Sequence, residues 1–232
     1  MSSLTRNEQL HLDSLREIEN CPLVESQCSG ADLDRSLSSI LPEEYDESWE
    51  GVRFSESMLG CYLRFYELGA AWRTVEDLPD VKGEFSLVNF HDALQVGDPG
   101  AGRAKTDFHR EFLSQLCPVD RTPRFGAGMQ TYIRLQADVD ELELWYSDIA
   151  DIEQPSYPSG FIKLDIGYCE YLKMLLLTKG AYGWQYLFAG ISLSRGDFSE
   201  SINNLKNMLQ VFPELFPGRD YSSLRTRLEA RL

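Results

Sequence analysis

The sequence is poor in the residues that most catalytic and metal sites need. Only three of its 232 residues are histidine, His11, His91 and His109, and no two stand at the i, i+3 or i, i+4 spacing of a helical metal site. Five cysteines, Cys21, Cys28, Cys61, Cys117 and Cys169, include no C-x-x-C pair, which argues against a zinc ribbon or a thioredoxin-type motif. Their odd number and irregular spacing do not read as a disulfide framework, so reduced thiols are expected. No G-x-S-x-G nucleophile elbow occurs. The apolar runs, such as the one in YLKMLLLTKG, fall far short of the roughly 20 residues that cross a bilayer. The opening MSSLTRNEQLHLDSLREIEN lacks the basic start and apolar centre of a signal peptide. These absences predict a cytoplasmic chain off the membrane, with no catalytic residue, no metal ligand set and no cofactor.

Positive charge is also scarce. Lys and Arg number 22 against 37 Asp and Glu, a net charge of −15. The imbalance is uneven: residues 1–50 hold 12 acidic and 3 basic side chains, whereas residues 201–232 hold 3 and 5. Such a field repels phosphate backbones, which excludes direct nucleic-acid binding as an expectation, and attracts basic partners. It also serves solubility.

What is present suffices for a core: 43% of the residues are apolar and 12% aromatic. Residues 5–20 read as a helix, CPLVESQCSG as a break, and ADLDRSLSSI as a second short helix with Leu33, Leu37 and Ile40 on one face. Met58, Cys61, Tyr62, Phe65 and Leu68 recur at helical spacing, so residues 55–72 read as a helix capped by Ser55 or Ser57. GEFSLVNF alternates as a strand, and HDALQV continues into a turn of helix. TDFHREFLSQL places Phe108, Phe112 and Leu116 at four-residue spacing. Residues 129–149 form a hairpin turning at DVDE. FIKLDI is a strand leading into a helix that stops at Lys179-Gly180. Two helices follow, over FSESINNLKNMLQVF, with Pro213 behind it, and DYSSLRTRLEARL.

Four stretches invite a chemical reading. GDPGAGRAKTD, residues 97–107, has the glycines of a phosphate cradle, and a nucleotide-binding enzyme built on it is one alternative. But Arg103 stands where a P-loop needs lysine, Lys105 is two places late, and HDALQV is a poor buried strand. An exposed surface loop is the expectation. DVDELE clusters Asp138, Asp140, Glu141 and Glu143 without the glycine or distal bidentate Glu of a Ca²⁺ loop. It reads as a solvated turn and an acidic patch for a partner. DFHREF sets His109 between Asp107 and Glu111, which reads as an ordinary surface or core histidine on a helix rather than a ligand or base. The aromatics of GAYGWQYLF lack the interleaved positive charge of a base-stacking platform and read as core.

The run GFIKLDIGYCEYLKMLLLTKGAYGWQYLF resembles the C-terminal part of the SUKH superfamily, which contains bacterial immunity proteins and fungal glucan-synthesis regulators. The strand is Phe161 to Ile166; the helix carries Tyr168, Tyr171, Leu172, Leu175 and Leu176; the tail is Tyr182-Gly183-Trp184-Gln185. Upstream, LPEEYDESWEG is similar to the family's LP-x-x-Y segment, GEFSLVNFHDAL to its glycine-led strand, and PRFGAGMQTYIRLQADVDELELWYSDI to its central hairpin. The similarity runs in order over about residues 35–190. The resemblance implies an α+β fold with a central, mostly antiparallel sheet surrounded by helices. Residues 1–190 would form this domain, with 191–232 a C-terminal helical extension packed on it. It further implies a non-catalytic, protein-binding role: an immunity protein that neutralises a cognate basic bacterial toxin, or a regulatory scaffold of the same fold. The expected docking residues are Glu43, Glu44, Asp46, Glu47, Glu50, Asp138, Asp140 and Glu141.

Overall fold

A computed structural model of the chain describes residues 4–30, 32–33, 47–95, 104–125, 128–147, 157–194 and 196–232. The helix expected over 31–40 and the loop at 96–103 lie outside the described residues, apart from Asp32 and Leu33. The chain runs α1 (Arg6–Glu19), β1 (Val24–Gly30), α2 (Glu56–Cys61), β2 (Glu67–Thr74), β3 (Lys82–Val88), α3 (Phe90–Gln95), α4 (Asp107–Ser114), β4 (Leu116–Thr122), β5 (Met129–Arg134), β6 (Glu143–Ser147), β7 (Phe161–Lys163), α5 (Tyr168–Thr178), α6 (Ser199–Leu215) and α7 (Ser222–Glu229). The seven strands form one antiparallel sheet in sequential order, each beside its neighbour in the chain. The fold is α+β.

Alternation along β5 and β6 builds two hydrophobic layers. Ile133, Leu144 and Tyr146 enter the main core under α1, α5 and α6. Tyr132 and Trp145 point the other way and pack with Phe112, Leu113 and Leu116 of the α4 region. The Phe112 ring meets the edge of Trp145 at 4.7 Å. Each such side chain, fully buried, contributes on the order of 2 kcal/mol.

Three strands depart from the sequence reading. CPLVESQCSG is not a break: Val24 to Gly30 pair with Thr74 to Leu68. The helix expected over 55–72 ends at Cys61, capped by Ser55, whose hydroxyl accepts from Met58 N. Its second half is β2, where Gly69 lets strands lie close; a Cβ there would sit 2.9 Å from Phe85 O. Leu116 starts β4 rather than ending α4. The aromatic run is core, as expected: Trp184, Tyr186, Leu187 and Phe188 are buried in a 3-10 helix.

The C-terminal helices share this core. Phe212 lies 5.8 Å from Trp72 between ring centroids. The Asn204 side chain accepts from Lys82 N at 2.9 Å and donates to Lys82 O and Tyr182 O, tying α6 to β3. Pro213 sits inside α6 instead of ending it.

The sheet splits between β3 and β4, which pair only at Leu87 and Asp120. Two buried carboxylates fill the gap. Asp120 accepts from Ser86 N at 2.9 Å and from the Tyr171 hydroxyl at 2.7 Å. Glu84 accepts from Arg124 N through both oxygens, at 2.9 and 3.0 Å. Burial pushes the Asp120 carboxyl up to about 6, against its hydrogen bonds from Tyr171 and Ser86.

Candidate functional site: an acidic edge

Five of the eight expected docking residues are described: Glu47, Glu50, Asp138, Asp140 and Glu141. Glu43, Glu44 and Asp46 lie outside the described residues. The fold brings the two described acidic segments together. Glu47 opens a 3-10 turn (Glu47–Trp49) whose Trp49 is buried, and Gly51 then takes φ of 83°, a left-handed conformation suited to glycine. That turn aims Val52 at the β5–β6 connection, where it forms an antiparallel bridge with Ala137. The Asp138 N–H faces Gly51 O at 3.5 Å.

Packing decides which side chains of the connection face outward. Leu135 and Leu142 are buried, and Val139 packs against the main core. Asp138, Asp140 and Glu141 are thereby left exposed, as are Glu47 and Glu50 on the facing segment. Asp138 adopts φ of 57°, which Asp tolerates better than most residues. No ion pair among the described residues engages any of the five. Glu143, the fourth acid of DVDELE, is different: it pairs with Arg134 at 3.1 Å and with Lys163. Exposed Arg53 stands in the same segment as Glu50.

Part of the N-terminal acid surplus is paired within the fold, Glu8 in the interior and Glu17 and Glu25 nearer the surface. Glu8 is fully buried and takes Arg64 with both oxygens, at 2.7 Å each, while also accepting from Thr5 N. Burial pushes its carboxyl up, but the bonds from Arg64 and Thr5 outweigh this and hold it below the usual range. Glu17 pairs with Lys179 at 2.5 Å and with Arg219, and Glu25 with Arg73. Lys179 is fully buried; burial brings its ammonium down to about 8, opposed by Glu17.

The remaining chemical candidates occupy structural places. Thr106, the threonine of the glycine stretch, caps α4, its hydroxyl accepting from His109 N at 3.0 Å. Burial holds His11 below its ordinary range, and its Nδ1 donates to Asn7 O at 2.9 Å. His109 is half-buried beside Phe108; the His91 side chain lies outside the described residues. Among the described residues, no three His, Cys, Asp or Glu side chains are grouped to hold a metal ion, and no helix is long and apolar enough to cross a membrane.

One feature corrects the sequence reading of reduced thiols. Cys61 and Cys169 are joined in a disulfide, with Cα atoms 5.7 Å apart. Cys21, Cys28 and Cys117 are free. Nothing in the spacing of five cysteines singles out this pair, which 107 intervening residues separate in the chain. The bond lies beside a cleft of about 240 Å³ lined by Ser57, Met58, Glu141, Tyr168, Cys169 and Lys173 among others, so the cleft adjoins the acidic edge.

No protein-family model, no curated protein and no solved structure matches this chain.

Proposed function

We propose that this chain is a non-catalytic protein-binding module that neutralises a basic protein, of the toxin-domain class, by docking it on the acidic edge. The observation that carries the reading is the bridge between Val52 and Ala137, which sets two sequence-distant acidic segments side by side with five exposed carboxylates that no described ion pair engages. Unneutralised like charge held on a folded edge costs the free protein a little repulsion, and a basic partner relieves it. The net charge of −15 extends the same field over the approach path and speeds encounter. The resemblance to the SUKH superfamily supports the same role from an independent direction, and the antiparallel α+β architecture is the one it implies.

The test is charge reversal of Glu47, Glu50, Asp138, Asp140 and Glu141 together, with Glu43, Glu44 and Asp46 as a second set. Binding to the product of the neighbouring gene is measured by titration calorimetry across a salt series. Affinity is expected to fall at least tenfold at low salt, about 1.4 kcal/mol, with a flatter salt dependence. Unchanged affinity at low salt would remove the edge from the interface.

A further inference from the structure

The Cys61–Cys169 bond differs from a buried structural staple in where its two ends sit. Cys169 is the second residue of α5, an eleven-residue helix whose N-cap, Gly167, supplies no side-chain cap, so the positive end of the helix dipole lies at Cys169. Cys61 is the last residue of α2, at the opposite, carbonyl end of its helix. Both cysteines are half-exposed, so a small thiol can reach either sulfur from solvent, and the 240 Å³ cleft, which Cys169 lines, gives the departing Cys169 sulfur access to water. A helix N-terminus stabilises a thiolate and a carbonyl end does not. The flanking charges are mixed at both ends, so the helix ends are what distinguishes the two sulfurs. Lys173, four residues after Cys169, lines the cleft and stands 4.0 Å from Glu170, and Glu141 lines the same cleft; on the other side Arg64, held by Glu8, follows Cys61 by three residues.

We propose that Cys61–Cys169 is a polarised thiol–disulfide exchange site, opened in the folded protein by a dithiol reductant that attacks Cys61 and expels Cys169. The attacking thiolate forms a bond to Cys61 Sγ. The Cys61–Cys169 bond breaks, and its electron pair leaves on Cys169 Sγ, the better leaving group. The reductant's second thiol, as thiolate, then attacks its own sulfur in the mixed disulfide. Cys61 departs as a thiolate and takes up a proton, and the reductant leaves as a disulfide. The protein gains two electrons and the reductant loses two.

Opening the bond frees a weakly held element. α2 has six residues, and Met58 is its only buried side chain. Besides the disulfide, the Asn7 side chain donates to Cys61 O. The segment entering α2 carries Glu47 and Glu50, but buried Trp49 and the Val52–Ala137 bridge hold it separately, so opening the bond loosens α2 ahead of the acidic edge. The exchange chemistry itself rests on the helix ends and the cleft, not on any partner.

The native oxidised protein is incubated with dithiothreitol, quenched, alkylated with iodoacetamide and mapped by peptide mass, with near-ultraviolet circular dichroism recorded in parallel. Cys61 and Cys169 are expected to become alkylated while the dichroism stays native. In the reduced protein, the pH midpoint of alkylation, which accessibility does not move, is expected to lie lower at Cys169 than at Cys61. A bond that opens only once the dichroism is lost would overturn the proposal. So would equal midpoints, or a lower one at Cys61.

Discussion

Glu8 and Glu50 belong to the same acid-rich N-terminal stretch, and the fold treats them in opposite ways. Glu8 is sealed at the junction of α1 and the β2 approach with every oxygen committed to Arg64 or Thr5. Glu50 is exposed, one residue before the Gly51 carbonyl that Asp138 N–H faces, and no described ion pair engages it. Around α1 the acids are fasteners: Glu8 to Arg64, Glu17 to Lys179 and Arg219. At the 47–52 and 137–141 edge they fasten nothing. Net charge counts both populations equally, yet only the second is available to a partner.

Three experiments would break or sharpen that contrast. The largest effect is expected from Glu8→Ala, which takes the carboxylate away from the Arg64 guanidinium and from the Thr5 and Arg64 backbone N–H groups. Removing one partner of a buried pair costs roughly 3–5 kcal/mol, read as a lower urea midpoint. A loss below about 1 kcal/mol would place Glu8 with the surface acids.

The next effect is one of pH, with two signs. Glu8 and Glu17 have lowered folded values, so the stability they contribute is present above their ordinary value near 4.5 and is lost as pH falls through the lower folded value. Asp120 is raised to about 6 from 3.8, so between those limits the folded state binds the extra proton. Its contribution therefore declines as pH rises from about 4 to about 6 and is level above that. Asp120→Asn should flatten that segment of the stability profile, a change on the order of 2–3 kcal/mol across the window. An unchanged profile would show that the gap between β3 and β4 tolerates the charge.

The smallest effect is expected at the edge. Neutralising Glu47, Glu50, Asp138, Asp140 or Glu141 one at a time should move stability by no more than about 0.5 kcal/mol by thermal melting. A large loss at any of them would reveal a fastening role that no described contact accounts for.

The contrast between acids was beyond the sequence, although much of the fold was not. The 129–147 hairpin, β3 and the Lys179-Gly180 stop were legible because alternation and caps are local signals. β2 was hidden because Tyr62, Phe65 and Leu68 sit at helical spacing by coincidence, and because Gly69, Ala70 and Ala71 give little alternating bulk. β4 carries Pro118 and a register shift between Pro118 and Asp120, which break the period. β1 is mostly polar on both faces. The site divides likewise. The 138–141 acids could be read as a turn, but their junction with Glu50 depends on Val52 meeting Ala137 across the fold. Arg64, Lys179 and Arg219 become countercharges only through tertiary contact.

The sequential order of the sheet has a consequence for the protein as it is made. Each strand pairs with the one before it, so a chain leaving the ribosome can add strands one after another, across long connections before β2 and β4 and shorter ones elsewhere. α1 does not share this schedule. Translated near the beginning, it waits for Arg64 to cover Glu8, for Lys179 to reach Ser14 and Glu17, and for Arg219 to complete the cluster. α1 is thus secured in stages, and a nascent chain halted after β7 would hold a finished sheet with α1 tied through Glu8 and Arg64 but not yet through Ser14 and Glu17.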